Sequence, residues 1–484
     1  MHKRFVANIV SRLLLIMCGA MLLPLAWAVY DDAHSREVQA FIDTILLGVA
    51  VAGAACWVFR IKKADYNRFN AKDGLAIVGL SWICLSALGA LPLYLSQVVS
   101  SYTDAFFEIA SGFTTTGSTI FTDIEALPRG ILFWRSLTHW LGGMGIIVLY
   151  VALLPALGNN AFQLYKAEAP GLTVERVEPR IKETAKILWG VYFLLTIIET
   201  GMLMYGGMSF FDALCHTFGT IATGGFSTKN ASIGAFSPYI QWVIVTFMVL
   251  AGINFMLHYQ VLRGRIFSYF KDEEFRVYSL LILFLVPAFT IVLGESGLSA
   301  APFRESFFQV VAMLTTTGYT TVNFDLWPHS LRLLLVILMF IGGCGGSTGG
   351  GMKVIRIMLS VKIALRAGVQ AVFPNAILPV KFNTKPVSDR LIAAVQAYCT
   401  IFMFLFFGGA LLFIVTESCD LVTAFTASIA ALSNIGPGLA KIGAVQNYAW
   451  VSLPGKWVLT FLMLAGRLEL YAILILFIPA TWKK

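Results

Sequence analysis

Long apolar stretches, separated by short polar ones, run through most of this chain. The apolar stretches are about 20 residues long, which is the length that crosses a bilayer as an α-helix. The pattern predicts ten membrane spans, near residues 10–30, 40–59, 75–97, 130–157, 186–206, 237–262, 277–294, 330–352, 391–416 and 455–480. The first two spans, joined by a short polar turn, form a predicted helical hairpin.

The N-terminus has a second interpretation. The letters MHKR, an apolar run and then AWA at 26–28 resemble a secretory signal with a cleavage site. A second apolar run follows at 41–58 after only a short polar turn. That pattern favours a retained first helix, and we expect the hairpin to be kept.

Four apolar segments are too short to cross a membrane. They lie at residues 103–114, 209–222, 303–315 and 421–433. Segments of about 10–14 residues are more typical of re-entrant or buried helices than of spans. Each lies between two predicted spans, so the chain predicts four units of span, short helix, polar loop and span.

The four short segments end in similar sequences. They contain GFTTTGST, ATGGFST, LTTTGYTT and SNIGPGL, with the closing glycines at Gly117, Gly224, Gly318 and Gly436. The glycines recur about every 100 residues, and such repetition indicates repeated structural units. The predicted divisions are the hairpin at 1–70 and the four repeats at 71–160, 161–265, 266–372 and 373–484.

The charged residues support this layout. Basic clusters precede span one, follow spans two, four, six and eight, and end the chain, whereas the opposite loops are poorer in Lys and Arg. With ten spans every basic cluster falls on one side, which the positive-inside rule makes the cytoplasmic side. Both termini are therefore predicted to be cytoplasmic. The net charge of +9 is a topology signal, and nothing beyond charge supports nucleic-acid binding.

Composition agrees with a membrane protein. Apolar residues make up 58% of the chain and charged residues 13%, against about 45–50% and about 25% in soluble domains. The seven cysteines show no C-x-x-C pair and the six histidines no H-E-x-x-H motif, which argues against zinc sites and disulfide frameworks. His139 is interpreted as a packed histidine rather than a ligand.

The glycine- and threonine-rich loops favour a cation path. Non-helical backbone is tolerated at membrane depth only where it is buried in protein or lines a cavity. Four such loops around one axis could replace the water shell of a cation with carbonyl oxygens, and the C-terminal end of each short helix would favour a cation there. Hard oxygen ligands suit an alkali ion. The alternative is a packing interface of small residues between helices. The presence of four copies at matching positions argues against this alternative.

A second glycine-rich stretch, Phe340–Lys353 (FIGGCGGSTGGGMK), interrupts the eighth span. It lacks the G-x-x-x-x-G-K-[ST] pattern of a phosphate loop, since Met352 and Lys353 follow Gly351. One interpretation is a flexible kink. The other is a mobile obstruction in the pore, followed by a basic amphipathic helix over 353–368 that lies on the membrane surface or docks a partner.

The last span contains two charges, Arg467 and Glu469. An intramembrane charge is a functional hypothesis that requires a partner. The two residues could pair with each other, although a spacing of two places them on different faces of a helix. The partner of Arg467 could equally be a backbone carbonyl of the glycine-rich stretch, and a purely structural buried pair remains open.

Together these motifs resemble the Trk/Ktr/HKT superfamily of potassium transporters, and most of all its bacterial TrkH/TrkG-type subunits. The quoted loop motifs and GGCGGSTGGGMKVIR carry the resemblance, which covers the whole chain. It implies an all-α polytopic membrane protein: four pseudo-repeats of transmembrane helix, pore helix, filter loop and transmembrane helix around one pore, plus the N-terminal hairpin. The implied filter residues are Thr115, Thr116, Gly117, Ala222, Thr223, Gly224, Thr316, Thr317, Gly318, Asn434, Ile435 and Gly436.

The resemblance also implies a gate and partners. The gating loop is 342–351, and the implied gating residues are Gly345, Gly346, Ser347, Thr348, Gly349, Gly350, Gly351, Lys353, Arg467 and Glu469. Glycine at 117 favours potassium, because some relatives with serine there prefer sodium. The implied setting is a homodimer in the bacterial inner membrane with a cytosolic, nucleotide-binding TrkA-type regulatory subunit; the only ligand is the transported potassium ion, with no organic cofactor.

Three functions are compared. A channel-like potassium uptake protein needs all four loops. A symporter coupled to protons or sodium needs an intramembrane relay, for which the candidates are Glu108, Glu199, Asp212, Arg467 and Glu469. An enzyme needs a nucleophile–base or metal pair, which the sequence lacks. We therefore expect a transporter and not an enzyme.

Overall fold

The structure, a computed structural model, describes residues 1–60, 71–153 and 177–482. These residues are almost entirely helical. The α-helices are Lys3–Ala20, Leu22–Asp31, Arg36–Val58, Ala71–Gly89, Leu91–Leu95, Tyr102–Phe113, Arg129–Leu153, Val177–Tyr205, Phe210–Ile221, Pro238–Ala251, Phe255–Leu262, Ser268–Lys271, Glu273–Ser296, Pro302–Leu314, His329–Ile341, Val354–Val372, Asp389–Glu417, Leu421–Ser433, Leu453–Arg467, Tyr471–Leu474 and Pro479–Trp482. Short 3-10 turns lie at Ser232–Ala235, Phe324–Leu326, Ala440–Ile442 and Ile475–Phe477. Strands Lys381–Phe382 and Lys385–Pro386 form an antiparallel hairpin.

Within the described residues, six helices are long and apolar enough to cross a membrane. They include both helices of the predicted N-terminal hairpin. Two further predicted spans, 237–262 and 455–480, each consist of two helices, which are bent by 100° and 118° respectively. Counting each bent pair as one span raises the number to eight. Two of the predicted basic loops lie largely outside the described residues, at 61–70 and 154–176.

The two bends have local causes. At the first, Asn254 caps the new helix Phe255–Leu262 by accepting the Met256 N–H at 2.9 Å. At the second, Glu469 and Leu470 both have φ of +58°, a left-handed conformation that a helix cannot contain. Both bends fall inside segments that the sequence pattern predicts as single spans.

The four predicted short helices are confirmed within one or two residues. They are Tyr102–Phe113, Phe210–Ile221, Pro302–Leu314 and Leu421–Ser433, and we call them the first to fourth short helix. Two begin with a capping side chain: Ser209 accepts from the Asp212 N–H at 3.1 Å, and Asp420 from the Thr423 N–H at 2.7 Å. Such caps satisfy donors that a helix start leaves unpaired.

The short helices are packed in a closed cyclic order. Each contacts the two long helices of its own repeat and the closing helix of the repeat before it. For the first short helix, that additional neighbour is Leu453–Arg467, the closing helix of the fourth repeat. The chain thus closes on itself around one axis, and the C-terminal ends of all four short helices lead into the segments described next.

Candidate ion site and glycine loop

The four short helices end in the same backbone conformation. A residue one or two positions beyond each helix has a left-handed backbone, and the glycine two positions after that residue has positive φ. The first set is Thr115, Thr223, Thr316 and Asn434, with φ of 53°, 55°, 60° and 57°. The second set is Gly117, Gly225, Gly318 and Gly436, with φ of 84°, 81°, 75° and 94°. We call each run from the first residue to the glycine a closing segment.

This conformation corrects the predicted register in the second repeat. The structure places Gly225, not Gly224, at the position equivalent to Gly117, so the closing segment is Thr223–Gly225 rather than 222–224. Ala222 is instead the C-cap of the second short helix. Two adjacent glycines made both registers possible in the sequence.

The hydrogen bonds repeat as well. In each closing segment the middle residue donates its N–H to a carbonyl of its own short helix, five residues earlier. These bonds are Thr116 to Ser111 at 2.8 Å, Gly224 to Gly219 at 2.7 Å, Thr317 to Ala312 at 2.9 Å, and Ile435 to Ala430 at 3.0 Å. The amides therefore point back to the helices.

The glycines lock the segments into a ring. A Cβ built on Gly117 would collide with the carbonyl oxygen of Gly224, one on Gly225 with that of Thr317, and one on Gly318 with that of Ile435. The ring closes at Gly436, where a Cβ would lie 2.7 Å from the Thr116 oxygen. Each glycine thus touches the middle carbonyl of the next segment in cyclic order, and larger residues would force the ring open.

Eight carbonyl groups of this ring have no hydrogen-bond donor among the described residues. Among the hydrogen bonds of the described residues, none ends on the carbonyl oxygens of Thr115, Thr116, Thr223, Gly224, Thr316, Thr317, Asn434 and Ile435, and all eight residues are buried. Buried carbonyls are nearly always paired with a donor, with water or with an ion. Two layers of four oxygen atoms are therefore available to a ligand that supplies positive charge.

The threonine hydroxyls brace the ring. Thr114 and Thr116 share a hydrogen bond of 2.8 Å, and Thr315 and Thr317 share one of 2.7 Å. Thr116 also accepts from the Asn434 amide at 3.0 Å. The first two bonds each stay within one repeat, whereas the Asn434–Thr116 bond joins the fourth repeat to the first.

Buried polar side chains hold the first segment from behind. The Glu108 carboxylate accepts from Arg135 Nε at 2.7 Å, from the Thr119 hydroxyl at 3.0 Å and from the Ile120 N–H at 2.8 Å. Both charged side chains are almost completely buried. A paired, hydrogen-bonded ion pair of this kind is costly to break. Glu108 is thus a structural support of the ring's outer side.

Tyrosines and a histidine join neighbouring segments. Tyr319, which follows the third segment, donates to Phe226 O of the second repeat at 3.2 Å. Tyr448 donates to Gly436 O at 2.7 Å, so that carbonyl has a protein donor. His139 faces Gly112 O at 2.8 Å through Nδ1 and accepts the Phe226 N–H at 3.2 Å through Nε2. As expected, His139 is a packed residue, and its two bonds together define the neutral tautomer with the proton on Nδ1.

The glycine-rich stretch lies against the ring. It runs as a non-helical segment between His329–Ile341 and Val354–Val372, and we call residues 342–353 the glycine loop. Gly350 donates to the Thr316 hydroxyl at 2.6 Å, and Gly351 donates to Ser433 O at 3.1 Å. The Thr348 hydroxyl donates to Ile221 O at 2.9 Å. One loop therefore contacts the ends of the second, third and fourth short helices.

Arg467 holds the loop to the first repeat. Its guanidinium donates to Thr348 O at 2.7 Å and to Gly142 O at 3.3 Å, and the residue is 3% exposed. A loop carbonyl is thus its partner, one of the two possibilities that the sequence left open. Lys353 donates to Gly349 O within the loop. Two buried cations therefore bind carbonyls of the loop that contacts the ring.

Glu469 does not pair with Arg467. Its carboxylate lies 2.6 Å from Arg356 Nη2, and the Arg356 guanidinium also stacks 4.0 Å from the centre of the Tyr398 ring. Arg356 belongs to the helix after the glycine loop. The sequence offered no signal for this pair beyond the basic run in which Arg356 stands.

Comparison with known proteins gives a consistent result. Residues 37–484 match the TrkH family of cation transport proteins. The chain is 41% identical over 492 residues to the Trk system potassium uptake protein TrkH of Salmonella typhimurium, with 100% of both chains covered. It is 33% identical over 494 residues to the Trk system potassium uptake protein TrkG of Escherichia coli, covering 100% of this chain and 99% of TrkG. The crystal structure of the potassium transporter TrkH from Vibrio parahaemolyticus superposes with a TM-score of 0.90 at 37% identity, covering 100% of both chains.

Proposed function

Because this chain belongs to the TrkH family of cation transport proteins, we propose that it carries potassium ions across a bacterial inner membrane. The ring of closing segments is the selectivity filter, and the glycine loop is the gate. The chain is a multi-pass membrane protein. Relatives of both TrkH and TrkG type are named as potassium uptake proteins, which supports potassium as the cargo.

The eight unpaired carbonyls are the observation that carries this proposal. A potassium ion that leaves water must exchange its hydration shell for oxygen atoms of similar strength, and rings of backbone carbonyls do this in potassium channels. The bonded N–H groups turn away from the axis, so the segment offers oxygen alone. The partly negative ends of the four short helices add to the attraction.

The glycine loop blocks the path in the present conformation. It touches three short helices, and Arg467 and Lys353 place positive charge beside the filter. A cation would be repelled there, whereas movement of the loop would shift both charges away from the axis. The proposed gating residues are therefore Gly345–Gly351, Lys353 and Arg467, with Glu469 acting through Arg356.

The surroundings follow from the family and the loop charges. We assign both termini and the basic loops to the cytoplasm. The protein works as a homodimer with a cytosolic TrkA-type subunit that binds nucleotide and drives the glycine loop. The name "Trk system", shared by the relatives, supports association with further components.

Symport with protons or sodium is the second candidate. One observation favours it: Glu199 lies in a membrane span, is fully buried, and neither of its carboxylate oxygens has a hydrogen-bond partner among the described residues. A buried carboxyl group without a partner is most stable in its neutral, proton-carrying form. Glu199 is therefore the proton site to test.

The deciding experiment uses purified protein in liposomes. Rubidium or potassium flux is compared with sodium flux, with and without a pH gradient, for the wild type and Gly117→Ser. We expect potassium-selective flux that ignores the pH gradient, and loss of selectivity in Gly117→Ser, because its Cβ collides with Gly224 O. Gly297→Ser is the matched control, since that glycine also has positive φ but has free space around it.

Unchanged selectivity in Gly117→Ser would place the filter elsewhere. Flux that requires the pH gradient would establish the symport alternative. In that case Glu199→Gln, which cannot release a proton, should abolish coupling while passive flux remains.

A further inference from the structure

Glu274 connects the two ends of the glycine loop. This residue lies at the start of the span Glu273–Ser296 and is 1% exposed. Its Oε1 accepts the N–H of Gly345 at 2.7 Å and the N–H of Ile355 at 2.9 Å. Gly345 lies near the start of the glycine loop, and Ile355 stands in the first turn of the helix that follows the loop. One carboxylate thus holds both ends together and also stabilises the start of that helix.

The two preceding residues contact a different part of the protein. Asp272 accepts from the Asn383 amide at 2.9 Å, and Asn383 accepts the Glu273 N–H at 2.8 Å. The Glu273 carboxylate pairs with Lys362 at 2.6 Å, and Lys362 also donates to Lys381 O at 2.8 Å. Lys381 and Asn383 belong to the β-hairpin and its turn. The three acidic residues 272–274 therefore lie between the hairpin and the glycine loop.

The hairpin is joined to the same helix by apolar contacts. Phe382 and Val380 are buried against Ile355, Leu359 and Ile363 of the helix that leaves the loop. The opposite side of the hairpin is exposed, including Lys381, Thr384 and Lys385. A displacement of the hairpin would therefore reach the helix and the acidic residues at once.

We propose that residues 272–274 transmit movement of the β-hairpin to the glycine loop, with Glu274 as the positioning residue that keeps the loop against the filter. This inference rests on the proposed function, in which that loop is the gate. Release of Glu274 frees both loop ends, so the loop can leave the filter. A cytosolic partner that binds the exposed face of the hairpin would have this direct route to the gate.

The first test is Glu274→Gln, with Glu295→Gln at the exposed far end of the same helix as its control. Glutamine keeps the shape of the side chain but can only be neutral, whereas the N–H groups of Gly345 and Ile355 favour an ionised carboxylate. Hydrogen bonds to an ionised acceptor are about twice as strong as neutral ones. We expect rubidium flux without partner to rise about tenfold, the factor that corresponds to about 1.4 kcal/mol. Potassium over sodium selectivity should not change, because the ring is intact.

A second readout needs no transport. Cys344 precedes Gly345 in the loop and is 1% exposed. Its alkylation by a membrane-permeant maleimide, located by mass spectrometry of the digested protein, should become about tenfold faster in Glu274→Gln and stay slow in Glu295→Gln. Equal alkylation rates in a Glu274→Gln protein that melts at the wild-type temperature would overturn the proposal.

The hairpin link is tested with Asn383→Gly against Thr384→Gly. Both residues have positive φ, of 46° and 66°, so glycine fits both backbones. Only Asn383 contacts the acidic residues, because the Thr384 hydroxyl donates to Asn383 O. We expect faster Cys344 alkylation in Asn383→Gly alone. Equal rates in the two variants would show that the hairpin has no route to the loop.

The filter assignment and the link through residues 272–274 can fail separately. If Gly117→Ser keeps its selectivity, the filter assignment fails, yet Cys344 alkylation still reports on the acidic residues. If Gly117→Ser loses selectivity while Glu274→Gln leaves both flux and alkylation unchanged, the filter stands and the link through residues 272–274 is wrong.

Discussion

The ring of closing segments and the glycine loop are both rich in glycine and lie in contact, but the hydrogen bonds that hold them span different distances along the chain. Each closing segment bonds to its own short helix five residues away, and the same bond occurs four times. The glycine loop occurs once and is held by residues far along the chain: Thr348 bonds to Ile221, 127 positions away, and to Arg467, 119 positions away. Local bonds survive movement of distant elements, whereas long-range bonds do not.

In the proposed function, this difference separates selectivity from gating. The segments of a protein that move are among its less stable ones, because few local bonds oppose their opening. The ring has local bonds and close carbonyl contacts, so it keeps its geometry during ion passage. Several of the loop's long-range bonds come from single side chains such as Arg467 and Glu274, so loss of one should weaken its attachment without harm to the ring.

The largest effect is expected from Gly318→Ala, which attacks the ring directly. Its Cβ would collide with Ile435 O and lie 2.9 Å from Pro437, and its φ of 75° is unfavourable for alanine. Strain of this kind costs about 1–3 kcal/mol. We expect loss of potassium over sodium selectivity and a lower melting temperature, measured by ion flux and thermal unfolding in detergent.

Gly297→Ala is its control, since that glycine has φ of 66° but a Cβ added there would meet no atom within 4 Å. The control isolates backbone strain from crowding. If both variants lose selectivity equally, crowding between segments does not maintain the filter.

Arg467→Gln should have the next largest effect and should change only the loop. It removes the bonds to Thr348 O and Gly142 O and one of the positive charges beside the filter. Hydrogen bonds of charged groups contribute about 1.5–3 kcal/mol each, so flux without partner should rise at least about tenfold. Selectivity should stay at the wild-type value.

Arg467→Lys sharpens this result, because lysine keeps the charge but cannot reach both carbonyls with a planar fork. We expect an intermediate flux. Should Arg467→Gln conduct no faster than the wild type, the residue does not hold the gate closed.

The smallest effect is expected from substitution of Asp420, the N-cap of the fourth short helix. The Thr423 N–H donates to this capping carboxylate and lowers its pKa. A lowered pKa means that the carboxylate stabilises the folded state above its unfolded pKa of about 3.9, and that this contribution is lost as the pH falls through the lower, folded value. Asp420→Ala should therefore cost about 1 kcal/mol at neutral pH, and the difference from the wild type should shrink below about pH 4.

Thermal unfolding across pH checks this expectation. Asp420→Asn keeps the cap without the charge, so at neutral pH it should melt between Asp420→Ala and the wild type, and it should lose the acidic change. If the melting temperatures of the wild type and Asp420→Ala differ by the same amount at low pH as at neutral pH, the charge of Asp420 does not contribute.

Hydropathy and repetition, read from the sequence, determined the membrane class, the N-terminal hairpin, all four short helices and the position of the glycine loop. These features depend on the apolar length of a segment and on its own composition, which are local properties. Three of the four closing segments were also placed in register, because a single glycine follows Thr116, Thr317 and Ile435.

Only the tertiary structure decided the rest. Gly225, rather than Gly224, is the last residue of the second closing segment because it packs against the Thr317 carbonyl of the next repeat. Glu469 pairs with Arg356, 113 positions earlier, and stands at the bend between Leu453–Arg467 and Tyr471–Phe477. Glu274 was not singled out at all, since a carboxylate at the start of a span is ordinary until a distant loop places two N–H groups against it. Contacts between residues far apart in the chain decided these features, and no local pattern encodes them.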